Sequence, residues 1–425
     1  MTTALLTDRY ELTMVEAALR SGRAHRECVF EVFGRRLPGG RRFGVVAGTG
    51  RVLEAIAEFR FGRAELDWLA EKDVVDEPTL QWLADYRFTG DVEGYREGEL
   101  YFPQSPVLTV RGTFAEAVVL ETVVLSILNY DTAVATAAAR MVAAAEGRPL
   151  AEMGSRRTNE SAAVAAARVA HIAGFSATSN LEAGRTWGVP TMGTAAHSFT
   201  LLHDTEEDAF RAQVDSLGAG TTLLVDTYDV RTAIETAVRV AGTSLGAVRL
   251  DSGDLPSLVR EVREQLDSLG ATETRITVTN DLDETSIAAL RGAPVDSFGV
   301  GTSVVTGSGS PAAGFVYKLV ARRDGDNGEW MPVAKSSPGK VSAGGAKRAE
   351  RLLRDGVAVA ERIIVDDSGD GVAHNAPAER HDARELTVPL MTRGEAEPRW
   401  LGPAGVRAAR EHCAAAVAEL PATAL

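Results

Sequence analysis

Cysteine is almost absent: Cys28 and Cys413 are the only two in 425 residues. That is too few for a disulfide framework, and no CxxC or His-rich spacing accompanies them, so a zinc site is not expected. Positive charge is also in deficit. With 45 Lys and Arg against 59 Asp and Glu, the net charge of −14 repels a nucleic-acid backbone at long range, which argues against a nucleic-acid binder. Unbroken apolar runs are missing too. The richest stretches, 117–128 and 133–145, are interrupted by Glu121 and Arg140, and Asp8, Arg9 and Glu11 stand within the first dozen residues. Neither a membrane span nor a signal peptide is expected, and the reading is a cytoplasmic protein.

What is present is ordinary globular material, 45% hydrophobic and 24% charged. The length allows two domains. Residues 1–114 open with TDRYELTM, in which Thr7 or Asp8 can cap a helix carrying Leu12, Val15, Ala18 and Leu19 on one side. Short β-like runs follow from Cys28 onward. Residues 115–147 are strong helix formers without Gly or Pro and form a helical bridge. Residues 148–315 alternate strand-like and helix-like segments, and residues 316–425 form a C-terminal segment that packs with the N-terminal domain.

The alternation implies a parallel sheet. Candidate strands are 150–156, 175–179, 190–194, 222–227, 247–252, 275–280 and 297–301, and no GxGxxG opens the series as a dinucleotide site would require. Polar residues collect at the C-terminal ends of these strands: Arg156, Ser179 and Asn180, Thr194 and His197, Asp226, Arg249 and Asp251, Asn280 and Asp281, Gly301 and Thr302. In a (β/α) barrel those ends converge on one mouth. The fold class expected is therefore α/β.

The stretch 174–198, GFSATSNLEAGRTWGVPTMGTAAHS, is small and polar where a packed core would want bulk, and it places His197 at a strand-to-helix turn. A single histidine there is often structural, but its neighbours carry chemistry. Arg249 and Asp251, two apart on a strand end, share a face, so an arginine fork for an anion stands beside a carboxylate. Asp226 is placed to fix the tautomer of a histidine, Asp229 to cap the next helix, and Gly299 and Gly301 to allow close approach of phosphate with Thr302 donating. By alternation only one of Arg156 and Arg157 faces the mouth. His203 points away from His197 on the same helix, which removes zinc from consideration. A histidine beside a carboxylate among phosphate-binding groups suits phosphoryl transfer to imidazole.

TDRYELTM, GSRRT, ATSN, GTAAHS, VDTYDV, RLDSGDL and GVGTSVVTG occur in the order found in nicotinate phosphoribosyltransferases, and the chain resembles that family over nearly its whole length. The resemblance implies an irregular (β/α) barrel joined to an α/β (α+β) domain formed from both chain ends, acting as a homodimer. It implies that nicotinate and phosphoribosyl pyrophosphate give nicotinate mononucleotide and pyrophosphate, coupled to ATP hydrolysis and requiring Mg²⁺, in NAD biosynthesis. It further implies that His197, oriented by Asp226, is phosphorylated, that Tyr10, Arg249 and Thr194 contact nicotinate, with Tyr10 acting in its own or the neighbouring subunit, and that Asp251 holds ribose hydroxyls. Gly301 and Thr302 would hold phosphate and Arg156 would face the ligand. Ser179 stands where related nicotinamide enzymes carry an aspartate, which favours an acid as substrate. The alternatives are a nicotinamide enzyme and a non-catalytic nucleotide-binding barrel. Lys335, Lys340 and Lys347 are weak candidates for a basic loop.

Overall fold

The computed structural model describes residues 2–323, 328–335, 343–365 and 382–421. It divides into two compact units, 1–136 with 310–425, and 137–309.

The first unit is built on an antiparallel seven-stranded sheet that draws on both ends of the chain. Its order is Trp330–Pro332, Phe315–Arg323, Glu27–Gly34, Leu108–Thr113, Asp91–Tyr95, Thr387–Thr392 and Glu395–Ala396. The strand Glu27–Gly34 is buried along nearly its whole length because both of its faces are covered. Lys347 is part of this interior. Its ammonium binds Glu31 at 2.7 Å and the Gly345 carbonyl at 2.8 Å, so it is a structural counter-ion and not a loop cation. Lys335 is exposed, and Lys340 lies outside the described residues.

The helical stretch Phe114–Ala145, 32 residues long, is apolar enough to cross a membrane, yet 61% of its most apolar window is buried within the fold, as in a core helix. It has a break at residues 119–120, between Phe114–Val118 and Glu121–Ala145, and the boundary between units falls inside the second part. Thr132 and Thr136, one turn apart, accept from the backbone N–H groups of Ala47 and Val45 at 3.1 and 3.0 Å, satisfying donors beside the short strand Gly44–Val45.

The second unit holds six parallel strands in the order Ala177–Thr178, Leu150–Glu152, Ser297–Val300, Arg275–Val278, Ala247–Leu250 and Thr222–Leu224. The last strand in sequence lies beside the first, which is barrel connectivity. Helices follow in alternation, among them Glu160–Ile172, Glu206–Leu217, Val230–Ala241, Leu255–Ser268 and Glu284–Ala289. The expected strand at 190–194 shrinks to a single parallel bridge between Thr178 and Thr191, since Pro190 has no N–H to give a ladder. Among the described residues no pairing joins Thr191 to Thr222–Leu224, so the sheet is a half-barrel with an opening there. The segment that spans the opening carries His197.

Glu11 in the first unit generates a stability prediction. It is fully buried, and burial first of all, with Glu121 and Asp8 adding, raises its carboxyl pKa to about 7 against hydrogen bonds from Thr122. A folded value above the unfolded one favours the neutral form. The stability it gives is complete below about pH 4.5 and is lost as pH rises to about 7. In Glu11→Gln the acceptor for Thr122 is retained, and Thr7 can turn its hydroxyl to the Val119 carbonyl at 3.0 Å. This variant is expected to be more stable than the wild type at pH 8, by on the order of 2 kcal/mol, and nearly equal at pH 4.5. Urea unfolding at the two pH values checks this.

Candidate active site

The C-terminal ends of the parallel strands enclose a cavity of about 480 Å³ in the second unit, a size that suits a small ligand. The strand register builds it in rows. Arg249 is level with Thr277, and Thr277 with Ser297, their hydroxyls 2.8 Å apart. One pleat further on come Asp251, Thr279 and Gly299, and beyond them Met153 and Gly301. Thr279 donates to Asp251 Oδ1. Gly299 is required by packing: a Cβ there would lie 2.7 Å from Met153 Sδ and 2.7 Å from Thr279 Cγ2. At Gly301 the nearest atom to such a Cβ is the Met153 carbonyl oxygen at 3.6 Å, and at Gly193 there is none within 4 Å. Those two positions face open cavity.

Of the sequence candidates, Arg156, Ser179, Thr194, His197, Arg249, Asp251, Gly301 and Thr302 all line the cavity. Asn280 and Asp281 do as well, whereas Asn180 is a helix cap, accepting from Ala183 N–H at 2.9 Å. Tyr10 lies on the helix Arg9–Arg20 of the other unit, 46% exposed, and is not among the lining residues. Both Arg156 and Arg157 line the cavity, contrary to the alternation argument, because Ser155–Arg157 is a tight 3₁₀ turn in which side chains no longer alternate.

Arg249 donates from Nη1 to Thr194 Oγ1 at 2.6 Å, and its buried Nε has no partner. Burial lowers its pKa, opposed by Asp251 and Asp226 and assisted by Arg156. A buried guanidinium with an unused donor is a receptor for an anion that would restore its hydrogen bonds.

Around His197 the carboxylates stand farther off than hydrogen-bond distance. His197 is the first residue of the helix His197–Leu202, with a side chain 40% exposed. Its Nδ1 contacts Thr227 Oγ1 at 3.1 Å. Asp226 makes no hydrogen bond to it: Asp226 Oδ1 stands 3.9 Å from Nε2, as does Asp251 Oδ2. The reason is that Asp226 Oδ2 is held by the Asp251 N–H at 2.8 Å and the Ser252 hydroxyl at 2.7 Å, which tie adjacent strand ends together. Asp226 Oδ1 is buried with no partner. Asp229 accepts from Thr232 N–H at 2.9 Å and is the helix cap, as anticipated. His203 Nδ1 is bound to the Phe199 carbonyl at 2.8 Å, and among the described residues no group of three or more His, Cys, Asp or Glu is arranged to hold a metal.

Thr227, Thr279 and Arg157 were not selected from the sequence. Thr279 was detectable, since it continues the alternation of Thr277 on a strand beside Arg249 and Asp251. Thr227 was not, because it follows Asp226 directly and reaches the same histidine only where the chain bends after Leu224.

Gly299→Ala is expected to cost about 1–3 kcal/mol in urea unfolding through the clash with Met153 and Thr279. Gly301→Ala should unfold like the wild type. An equal loss in both variants would mean that Gly301 also serves packing.

A family model for the nicotinate phosphoribosyltransferase (NAPRTase) N-terminal domain matches residues 5–129. Nicotinate phosphoribosyltransferase pncB1 of Mycobacterium tuberculosis (strain CDC 1551 / Oshkosh) is 57% identical over 429 residues, which span 99% of this chain and 92% of that protein. Nicotinate phosphoribosyltransferase of Bacillus subtilis (strain 168) is 37% identical over 360 residues, 82% of this chain and 73% of that protein. The crystal structure of human Nicotinic Acid Phosphoribosyltransferase superposes with a TM-score of 0.81 at 26% identity, covering 98% of this chain and 95% of that one. On the length and identity of these matches, the chain belongs to the nicotinate phosphoribosyltransferase family.

Proposed function

We propose that this enzyme joins nicotinate to phosphoribosyl pyrophosphate, giving nicotinate mononucleotide and pyrophosphate, and couples the reaction to ATP hydrolysis through phosphorylation of His197. The observation that carries the coupling is a half-exposed imidazole at the rim of an arginine-lined cavity, with two carboxylates facing one of its nitrogens.

Arg249 and Thr194 take the nicotinate carboxylate, the unused Nε of Arg249 supplying a donor. Ser179 leaves that carboxylate unopposed, whereas an aspartate there would repel it. Asp251 accepts from ribose hydroxyls, its Oδ1 already fixed by Thr279. Arg156 and Arg157 hold phosphate groups, which the open space at Gly301 and the hydroxyl of Thr302 admit. Tyr10 stacks on the pyridine ring within a homodimer. Burial, then Glu121 and Glu11, raise its phenol pKa to about 12, so it presents a neutral ring.

The phosphoryl acceptor is Nδ1. Its lone pair attacks the γ-phosphorus of ATP, and the bond to the β–γ bridging oxygen breaks with its electrons leaving on ADP. An approach at Nε2 would bring an anion against Asp226 and Asp251, whereas attack from Nδ1 places the positive charge that develops on the ring, with its Nε2 proton, toward those same carboxylates. Asp281 is a cavity carboxylate that would hold Mg²⁺ together with substrate phosphates. Bound there, Mg²⁺ neutralises phosphate charge. We place the enzyme in the cytoplasm, in keeping with two free buried cysteines.

Nicotinate consumption with phosphoribosyl pyrophosphate and Mg²⁺ is expected to rise when ATP is added, and nicotinamide at equal concentration should compete poorly. His197→Ala should lose ATP hydrolysis and the ATP-dependent increase while retaining slow turnover. A variant that kept its coupling would sink the phosphohistidine step, and equal use of both bases would overturn the role given to Ser179.

A further inference from the structure

We infer that Thr227 is a positioning residue for His197, donating its hydroxyl to Nδ1 in the resting enzyme and to a phosphoryl oxygen once Nδ1 is phosphorylated. This rests on the phosphohistidine reading above. Two observations fix the direction of the bond. The first is the pair of carboxylate oxygens, Asp226 Oδ1 and Asp251 Oδ2, each 3.9 Å from Nε2. Were Nδ1 protonated and donating to Thr227, the Nε2 lone pair would face two anions. The second is that Asp226 Oδ1 is buried, on a side chain 2% exposed, and has no donor of its own. A proton on Nε2 is the group that could satisfy it, by a small rotation of the ring.

With the proton on Nε2, Nδ1 is an acceptor, and the Thr227 hydroxyl at 3.1 Å is the donor that meets it. The carboxylates set where the proton sits, and the hydroxyl keeps the ring turned so that this proton faces them. The hydroxyl occupies the lone pair that must attack phosphorus, so it has to yield as the γ-phosphoryl group arrives. Rotation about the Thr227 side chain keeps the hydrogen available to the new oxygen neighbour. Bond making at Nδ1 then exchanges one hydrogen-bond acceptor for another, and no donor is left unpaired.

The test uses Thr227→Val, which removes the hydroxyl at nearly constant shape, and Thr227→Ser, which restores it. Protein labelled with ¹⁵N-histidine gives the His197 tautomer directly, the signals being assigned by their loss in His197→Ala. Phosphoenzyme formation from γ-labelled ATP gives the rate. In the wild type and Thr227→Ser, His197 should show a protonated Nε2 and an unprotonated Nδ1. In Thr227→Val the two tautomers should mix, and phosphorylation should slow about tenfold, the factor that corresponds to a hydrogen bond of ordinary net strength. An unchanged tautomer in Thr227→Val would overturn the inference, whether or not the rate falls. Failure of the wild type to take up label would instead overturn the phosphohistidine reading, while the tautomer of the unliganded protein would still decide whether Thr227 positions the ring.

Discussion

The site depends on how Asp226 is held. One of its oxygens takes two donors, the Asp251 N–H and the Ser252 hydroxyl, and so ties the end of the strand Thr222–Leu224 to the end of Ala247–Leu250. The other oxygen is buried and left over. A carboxylate fixed this firmly cannot turn to relieve its unpaired oxygen, and the cost of that burial is offset only by a proton or cation brought to it. His197 is the side chain placed to bring one. The half-barrel matters for this reason: where Thr191 and Thr222–Leu224 fail to pair, the intervening chain is free to cross the opening and set an imidazole against the strand ends.

Both units bury charge. In the first, Glu99 is fully paired: Arg384 binds it at 2.7 Å, His412 at 2.8 Å, and Arg351 lies 3.7 Å away. Burial would raise its pKa, but the hydrogen bonds from His412 and Arg384 overcome that and bring it down to about 2. Arg384 also binds Glu419 near the C-terminus, so the network fastens the last helix to the strand Asp382–Glu385. Unpaired buried atoms occur in both units: Nε and Nη1 of Arg351 in this network, and Arg249 Nε and Asp226 Oδ1 in the second unit. What sets Arg249 apart is that it also lines the cavity, where a ligand can complete its bonding.

Most of the cavity lining was legible because parallel strands end together and side chains alternate along them. That periodicity placed Arg249 with Asp251 and brought Ser179, Thr194 and Gly301 to the same mouth. It failed where the backbone leaves the ladder. The strands are shorter than their apolar runs suggest, Leu150–Glu152 against 150–156 and Thr222–Leu224 against 222–227, since the polar residues at their ends turn away to form the mouth. Beyond those points neighbours cease to alternate, which is why Arg157 joins Arg156 and why Thr227, adjacent to Asp226, reaches the same ring. The sequence pairs Asp226 with His197, and the structure sets them 3.9 Å apart. Sequence adjacency could not show that the carboxylate was already engaged by its neighbouring strand.

The charge of −14 and the anionic substrates proposed for this enzyme are compatible because distant surface charge is screened at the mouth. Surface carboxylates more than a Debye length away, about 8 Å at physiological ionic strength, are largely screened. Among the cavity-lining residues Arg156, Arg157 and Arg249 stand against Asp251 and Asp281, and Asp226 lies buried behind them beside His197, so the local balance is not acidic. The two signs are also segregated by chemistry. The guanidiniums carry unfilled donors suited to carboxylate and phosphate, while Asp226 Oδ2 and Asp251 Oδ1 are occupied by protein donors and present less free negative charge to an incoming anion. Attraction is thus confined to the arginines of the cavity, and the acidic exterior does not compete for the ligand.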